Sequence, residues 1–253
     1  AIDGAVKLAK RYTGKTDVVS FRNSYHGSTQ GVLSLGGNEA LKNAFRPLIP
    51  GLHLLDFNAI DQLELLPKQH CACILVEPIQ GEAGVINANP DFLKALRAWC
   101  DDNGALLIFD EIQTGSGRTG KMFAFEHYGV IPDVLCIAKG MGGGMPIGAF
   151  IAAKKLMQVL THQPMLGHIT TFGGHPVCCA ASLASFDVLL HENWLQQIPS
   201  KEKLFRARLK HPAIKEIRGM GFLLALQFDS FEINKKIIDT CIQHGVITDW
   251  FLF

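Results

Sequence analysis

Apolar residues in this chain fall into short continuous runs that stop at glycine-punctuated polar segments, with stretches of helical spacing between them. Asp17 to Phe21, Leu52 to Leu55, Ala72 to Val76, Leu106 to Phe109 and Asp133 to Ala138 are each short, apolar and bounded by turn residues, the signature of buried strands. Helical spacing is read at Val6 to Arg11, about Ser28 to Leu35, Ala59 to Leu66 and Asp91 to Asp102, the last stopped by Asn103-Gly104. Met122 to Tyr128 is an aromatic, helix-like segment. This alternation predicts an α/β fold with a mostly parallel sheet and covering helices. Ile147 to Ala153 is expected to add one antiparallel strand, because too few residues separate it from the preceding run for a helical crossover.

Beyond Thr171 the pattern changes. Pro176 to His191 reads as one long helix and Lys201 to Leu209 as another. Ile214 to Phe228 reads as strand around Arg218-Gly219-Met220-Gly221, and Phe231 to His244 as helix. The division predicted is 1–195 and 196–253, the second part being the start of a smaller C-terminal α/β domain, with Pro199 and neighbouring charges marking the break.

The 253 residues carry a formal net charge of +1 and no basic cluster, which argues against nucleic acid as a principal partner. No apolar run approaches the roughly 20 residues needed to span a bilayer, so no membrane association is expected. The seven cysteines lie mostly inside apolar runs. The spacing of Cys71 and Cys73 and of Cys178 and Cys179 does not match zinc ligation, so no metal is expected. Buried free thiols in a reducing compartment, the cytoplasm, are the reading they support. Ala1 to Arg11 resembles the middle of a helix without its cap, and the aromatic run Asp249 to Phe253 is an unusual terminus. The sequence is therefore expected to be a piece of a longer polypeptide.

Candidate chemistry gathers where the strand runs end. In open α/β sheets, ligands sit outside the carboxyl ends of the strands. One run stops at Asp110-Glu111, and another delivers Lys139 into Gly140-Met141-Gly142-Gly143-Gly144. A lysine for a Schiff base and an acid for a pyridinium nitrogen are what a pyridoxal 5'-phosphate (PLP) site requires. A lysine desolvated at a strand end is expected to have a depressed pKa and a nucleophilic amine. Taken singly, each residue keeps a plainer alternative: Lys139 on a surface turn, Asp110 as a helix cap, Tyr25 in the core, Glu77 and Glu82 as solvated loop charges, Thr171 in a strand or turn.

Four motifs occur in order: Glu77-Pro78-Ile79-Gln80-Gly81-Glu82, Asp110-Glu111-Ile112-Gln113-Thr114-Gly115 with Gly117-Arg118-Thr119-Gly120, Ala138-Lys139-Gly140 with Gly142-Gly143-Gly144, and Thr171-Phe172-Gly173-Gly174. Together they resemble the class III (ω-amino-acid) aminotransferases, a family that includes acetylornithine, ornithine and 4-aminobutyrate aminotransferases. The resemblance covers essentially the whole chain. It implies the fold type I of PLP-dependent transferases and a homodimer with shared active sites. It implies that Lys139 forms the Schiff base and moves the substrate proton, that Asp110 pairs with the pyridinium nitrogen, and that Gln113 contacts the phenolic oxygen. Tyr25 would stack on the ring, Glu77 would lie beside it, and Thr171 would reach the phosphate of the neighbouring subunit's cofactor. Glu82 would act as a switch, pairing with an arginine that lies beyond Phe253, and the glycine-rich phosphate cup would precede Ala1. Glu111 is read as structural, His26 as a loop histidine with no assigned role, and Arg118 is left open.

The activity implied is transfer of an amino group from an ω-amine donor to 2-oxoglutarate. The alternatives are an aminomutase or decarboxylase of the same fold, or a catalytically silent scaffold. Gln113 favours the transaminase. The donor is not decided by these residues, although Phe172 and the Gly142 to Gly144 run lean towards acetylornithine-like members.

Overall fold

The computed structural model of the chain describes residues 1–251; Leu252 and Phe253, the end of the aromatic tail, lie outside the described residues. Helix α1 (Ile2–Thr13) is followed by strand β1 (Asp17–Phe21), a single turn α2 (Gln30–Leu33), β2 (Leu52–Leu55) and β3 (Cys71–Val76). A small hairpin of β4 (Ile79–Gln80) and β5 (Ile86–Asn87) leads into α3 (Pro90–Asn103), β6 (Leu106–Asp110), β7 (Val134–Ile137) and β8 (Ala149–Ala152). Then come α4 (Lys154–Met157), α5 (Pro176–His191), α6 (Trp194–Arg208), the hairpin β9 (Glu216–Met220) and β10 (Leu223–Gln227), and α7 (Phe231–Gln243).

The central sheet has the order β2-β1-β3-β6-β7-β8, with β8 antiparallel to β7 and every other neighbouring pair parallel. Alternation along the strands divides the core between two faces. Val19, Phe21, Ile74, Val76, Leu107 and Phe109 pack on one face against Phe92, Leu93, Leu96 and Trp99 of α3. Val18, Cys73, Leu75, Leu106, Ile108 and Cys136 pack on the other against Ile2, Ala5, Leu8 and Ala9 of α1. Both faces are covered, which is why the central strands read as continuous apolar runs rather than alternating ones. Phe21, Phe57 and Phe92 meet edge to face at centroid distances of 5.3–6.0 Å, and burying the Phe21 and Phe92 rings contributes roughly 1.5–3 kcal/mol each.

Local chemistry sets the helix ends. The Asn89 side chain accepts from the Asp91 amide at 3.0 Å, Pro90 sits in the first turn, and Gly104 closes α3 in the left-handed region at φ 57°. Four expectations need correction. The helix read from Ser28 to Leu35 is only the turn Gln30–Leu33. There the chain folds back on the end of β1, and a Cβ on Gly37 would lie 2.4 Å from Phe21 O. The helix read at Ala59 to Leu66 is a 3₁₀ turn, Ile60–Leu65, whereas the helix-like reading of Met122 to Tyr128 agrees with the 3₁₀ helix Ala124–His127. Pro199 does not interrupt the chain but lies inside α6, which already begins at Trp194. The strand read from Ile214 to Phe228 is two antiparallel strands, turned at Gly221 with φ 61°.

Cys71, Cys73, Cys100 and Cys136 are buried within the sheet and α3, and all seven cysteines are free thiols. Burial pushes the Cys71 and Cys73 thiols far above their ordinary range. Titration with a thiol reagent under native conditions is expected to leave these four cysteines unreacted, and to label them once denaturant unfolds the chain.

Candidate active site

Four adjacent parallel strands, β1, β3, β6 and β7, end on the same edge of the sheet, and each is followed at once by a polar group. Past β1 the chain presents Tyr25 and His26, past β3 Glu77, at the end of β6 Asp110, and two residues past β7 Lys139. Asp110 lies opposite Cys136 in the β6–β7 register, which brings the acid and the lysine to neighbouring strand ends. Tyr25, His26, Gly27, Glu77, Glu82, Asp110, Ile112, Gln113 and Lys139 line one cavity of about 200 Å³. Six of the seven residues singled out from the sequence therefore share a cavity; Thr171 does not. It is exposed, in the turn preceding α5.

The inner wall of the cavity is a buried polar chain. His26 Nδ1 donates to Asp110 Oδ2 at 2.7 Å, with both side chains buried. His26 Nε2 lies 3.3 Å from Ser20 Oγ, which is 3.1 Å from Ser24 Oγ. The second Asp110 oxygen accepts from the Ile112 amide at 3.1 Å. Burial alone would lower the His26 pKa, but the bond to Asp110 and the charges of Asp110 and Glu77 outweigh it and hold the pKa above the usual histidine value. His26 is thus a structural and electrostatic partner of Asp110, not the loop histidine expected. The signal was present: Ser20, Ser24 and His26 are three polar residues around the end of an otherwise apolar strand.

Glu77 accepts from the Tyr25 amide at 3.2 Å and the Gly81 amide at 3.4 Å. Burial, with the Asp110 charge, pushes its carboxyl up to about 8 despite the opposing pull of His26. Glu82 also has a partner within the chain, since Gln113 Nε2 donates to its Oε1 at 3.2 Å. Gly81 makes this possible, because a Cβ there would overlap the Gln113 side chain. Glu111 is structural as read: buried, it accepts from Thr114 Oγ1, Ala124 N and Phe125 N at 2.6–2.8 Å. Arg118 Nε caps the same loop by donating to Gln113 O at 2.9 Å.

Lys139 differs from expectation. It is exposed at the mouth of the cavity, not desolvated. Its backbone has φ 48°, a left-handed conformation that costs a non-glycine residue and persists only where surrounding structure enforces it. Gly143 (φ 56°) and Gly144 (φ 93°) supply the tight turn just after it. A cavity of about 510 Å³ between the β9–β10 hairpin and α7 is larger and more apolar, but it contains no comparable set of interacting polar groups.

The sequence profile described as aminotransferase class-III matches residues 1–251. The chain belongs to the class III aminotransferases. The putrescine aminotransferase of Pectobacterium atrosepticum is 43% identical over 98% of this chain and 56% of its own length. The acetylornithine aminotransferase of Methanocaldococcus jannaschii is 40% identical over 94% of this chain and 63% of its own. The ornithine aminotransferase of Toxoplasma gondii superposes with a TM-score of 0.91 at 34% identity, over 98% of this chain and 62% of that one. An amine transaminase from an uncultivated Pseudomonas species, solved in its PLP-bound form, superposes with a TM-score of 0.84 at 30% identity, over 98% and 67%. This class III aminotransferase chain thus spans less than two-thirds of the length of those two sequence relatives.

The two raised groups make stability pH-dependent in one direction. His26 and Glu77 both bind protons more tightly folded than unfolded, so each favours the folded state at low pH and loses that advantage as pH rises through its folded pKa. The melting temperature is expected to fall between about pH 6 and pH 8, with a shallower slope in Glu77→Gln; an unchanged slope in the variant contradicts the Glu77 contribution.

Proposed function

We propose that the protein is a PLP-dependent transaminase that moves an amino group from an ω-amine donor to 2-oxoglutarate. The observation that carries this reading is one cavity in which a buried Asp110, hydrogen-bonded to His26, faces the same space as Lys139. PLP fits the groups present: an anion on one strand end to pair with a ring nitrogen, an amine on the next to bind the aldehyde, and an aromatic side chain beside them. When bound, PLP supplies an electron sink for the substrate carbon that loses its proton.

The chain's own residues supply the rest. Asp110, held between His26 Nδ1 and the Ile112 amide, would pair with the ring nitrogen and keep it protonated. Lys139 would hold the cofactor through Nζ, and its amine would move the substrate proton as general base and acid. Tyr25, Gln113 and Glu77 line the same cavity; Tyr25 would stack on the cofactor ring, Gln113 would contact its phenolic oxygen and Glu77 would lie beside it. Glu82 meets the incoming substrate at the cavity mouth, attracting an amine and repelling a carboxylate until its charge is paired. Acetylornithine, ornithine and 4-aminobutyrate are donors of the right chemistry, and relatives named for acetylornithine and putrescine support this class.

A homodimer completes the proposal, with Thr171 reaching the partner's cofactor phosphate. Support comes from the apolar surface around it: Met165, Leu166, Ile169 and Phe172 are exposed, as are Val177, Leu183 and Leu190 on α5. A reducing, cytoplasmic setting suits the free thiols, and among the described residues no helix is long and apolar enough to cross a membrane.

Purified protein supplied with PLP is expected to form glutamate from 2-oxoglutarate and at least one ω-amine. Lys139→Ala is expected to reduce that rate by at least about 10²–10⁴-fold while leaving the melting temperature nearly unchanged, because the side chain is exposed. Amino transfer that persists undiminished in Lys139→Ala contradicts the assignment.

A further inference from the structure

Glu82 sits on the five-residue loop Gly81 to Val85, which connects β4 and β5. Little within the loop fixes it: the Gly84 and Val85 amides both donate to Gly81 O, at 3.1 and 3.0 Å. Its geometry is nevertheless strained. Val85, a β-branched residue, has φ 57°, a conformation that is a true outlier for such a side chain. Something outside the loop must enforce it, and the β9–β10 hairpin is in place to do so. The Val85 side chain is buried with Ile79 and Ala225, and Met220 and Leu223 pack against them. Arg218 Nε donates to Gly84 O at 2.9 Å across 134 residues of sequence. The guanidinium is itself held, by Glu216 Oε2 at 3.0 Å and by the Gln227 side chain. Gly219 carries no side chain where a Cβ would come within 2.8 Å of Val85 Cγ1.

The same hairpin holds the opposite wall of the cavity mouth. The Phe222 amide donates to Arg118 O at 2.8 Å, and Arg118 Nε donates to Gln113 O. Glu82 and Gln113, which meet at 3.2 Å, are thus each tied through a short path to β9–β10. Helix α6 extends the connection, because Arg206 donates to Ile217 O and Gly219 O at 2.9 and 2.8 Å. Among the described residues, the Asp110, His26 and Lys139 side chains have no such tie; strand ends place them.

We propose that Arg218 is a positioning residue that holds the Glu82 loop from outside the cavity, so that the β9–β10 hairpin governs how the site meets substrate without touching it. This rests on the transaminase reading for its kinetic consequence, but not for its structural one. The side chain is about a fifth exposed, so replacing it opens no sealed void.

The test compares Arg218→Ala, Arg218→Lys and Glu216→Gln with wild type in the full chain, by hydrogen exchange and by amino transfer. Exchange at the Gly84 and Val85 amides is expected to rise roughly fivefold in Arg218→Ala, the size of one lost hydrogen bond. It is expected to recover largely in Arg218→Lys, to stay near wild type in Glu216→Gln, and to leave β3 and β6 unchanged in all three. In amino transfer, Arg218→Ala is expected to raise KM for donor and 2-oxo acid severalfold with the cofactor's visible spectrum and its pH dependence unaltered. Equal exchange in Arg218→Ala and wild type overturns the proposal, as does faster exchange throughout the central sheet. If Arg218→Ala does not fold, the lysine variant with wild-type exchange upholds the contact, and uniformly fast exchange in it overturns the local role. A wild type without amino transfer would remove the transaminase reading, while the exchange result would still decide the positioning role.

Discussion

Parallel pairing of β1, β3, β6 and β7 is the constraint on which the rest depends. Backbone hydrogen bonds set the register of each strand against its neighbour, so all four end on one edge. Apolar residues on both faces, covered by α1 and α3, make any slip costly, because a one-residue shift would turn each strand's buried set to the wrong side. Given that register, Asp110 stands beside the strand that leads to Lys139. His26, arriving from β1, meets Asp110 across the intervening end of β3. The site is the polar consequence of an apolar arrangement.

A buried pair such as His26 and Asp110 contributes specificity more securely than stability. Its attraction is set against the desolvation of two groups, whereas removing one partner alone costs roughly 3–5 kcal/mol by stranding the other. Ser20, Ser24 and the Ile112 amide satisfy the remaining polar atoms around the pair. This keeps an acid in place in the inner wall of the cavity while Lys139, backbone-strained, stays exposed. The rigid wall and the accessible amine have different local physics, and the two strand ends provide both. The mouth is built differently again, from loops that carry Glu82 and Gln113 and are braced by the β9–β10 hairpin.

Much of this was legible in the sequence, for identifiable reasons. Strands β1 and β2 and helix α5 have the bounds read from residue pattern, because apolar runs ending in polar turns and a proline in a first helical turn are local signals. Asp110 and Lys139 were visible as charges where such runs stop, Gln113, Glu77 and Glu82 from the motifs around them, and Tyr25 from the family resemblance alone. What escaped was set by contacts distant in sequence. His26 finds its partner 84 residues away and Arg218 its carbonyl 134 residues away, so neither leaves a periodic trace. Pro199 misled because tertiary packing carries α6 through a residue that propensity alone would use to end it. The desolvation expected of Lys139 failed because strand-end position fixes where a side chain starts, not what covers it.

The central proposal is that Lys139, and no other lysine, would hold the cofactor in the cavity bounded by Asp110 and His26. Borohydride reduction of the PLP-loaded protein, followed by proteolysis and peptide mass mapping, addresses it directly. The account predicts a stable pyridoxyl adduct confined to the peptide containing Lys139, and lost when Asp110 and His26 are replaced so that the inner wall cannot form. Adducts spread over surface lysines, or concentrated on one outside the cavity, would contradict it.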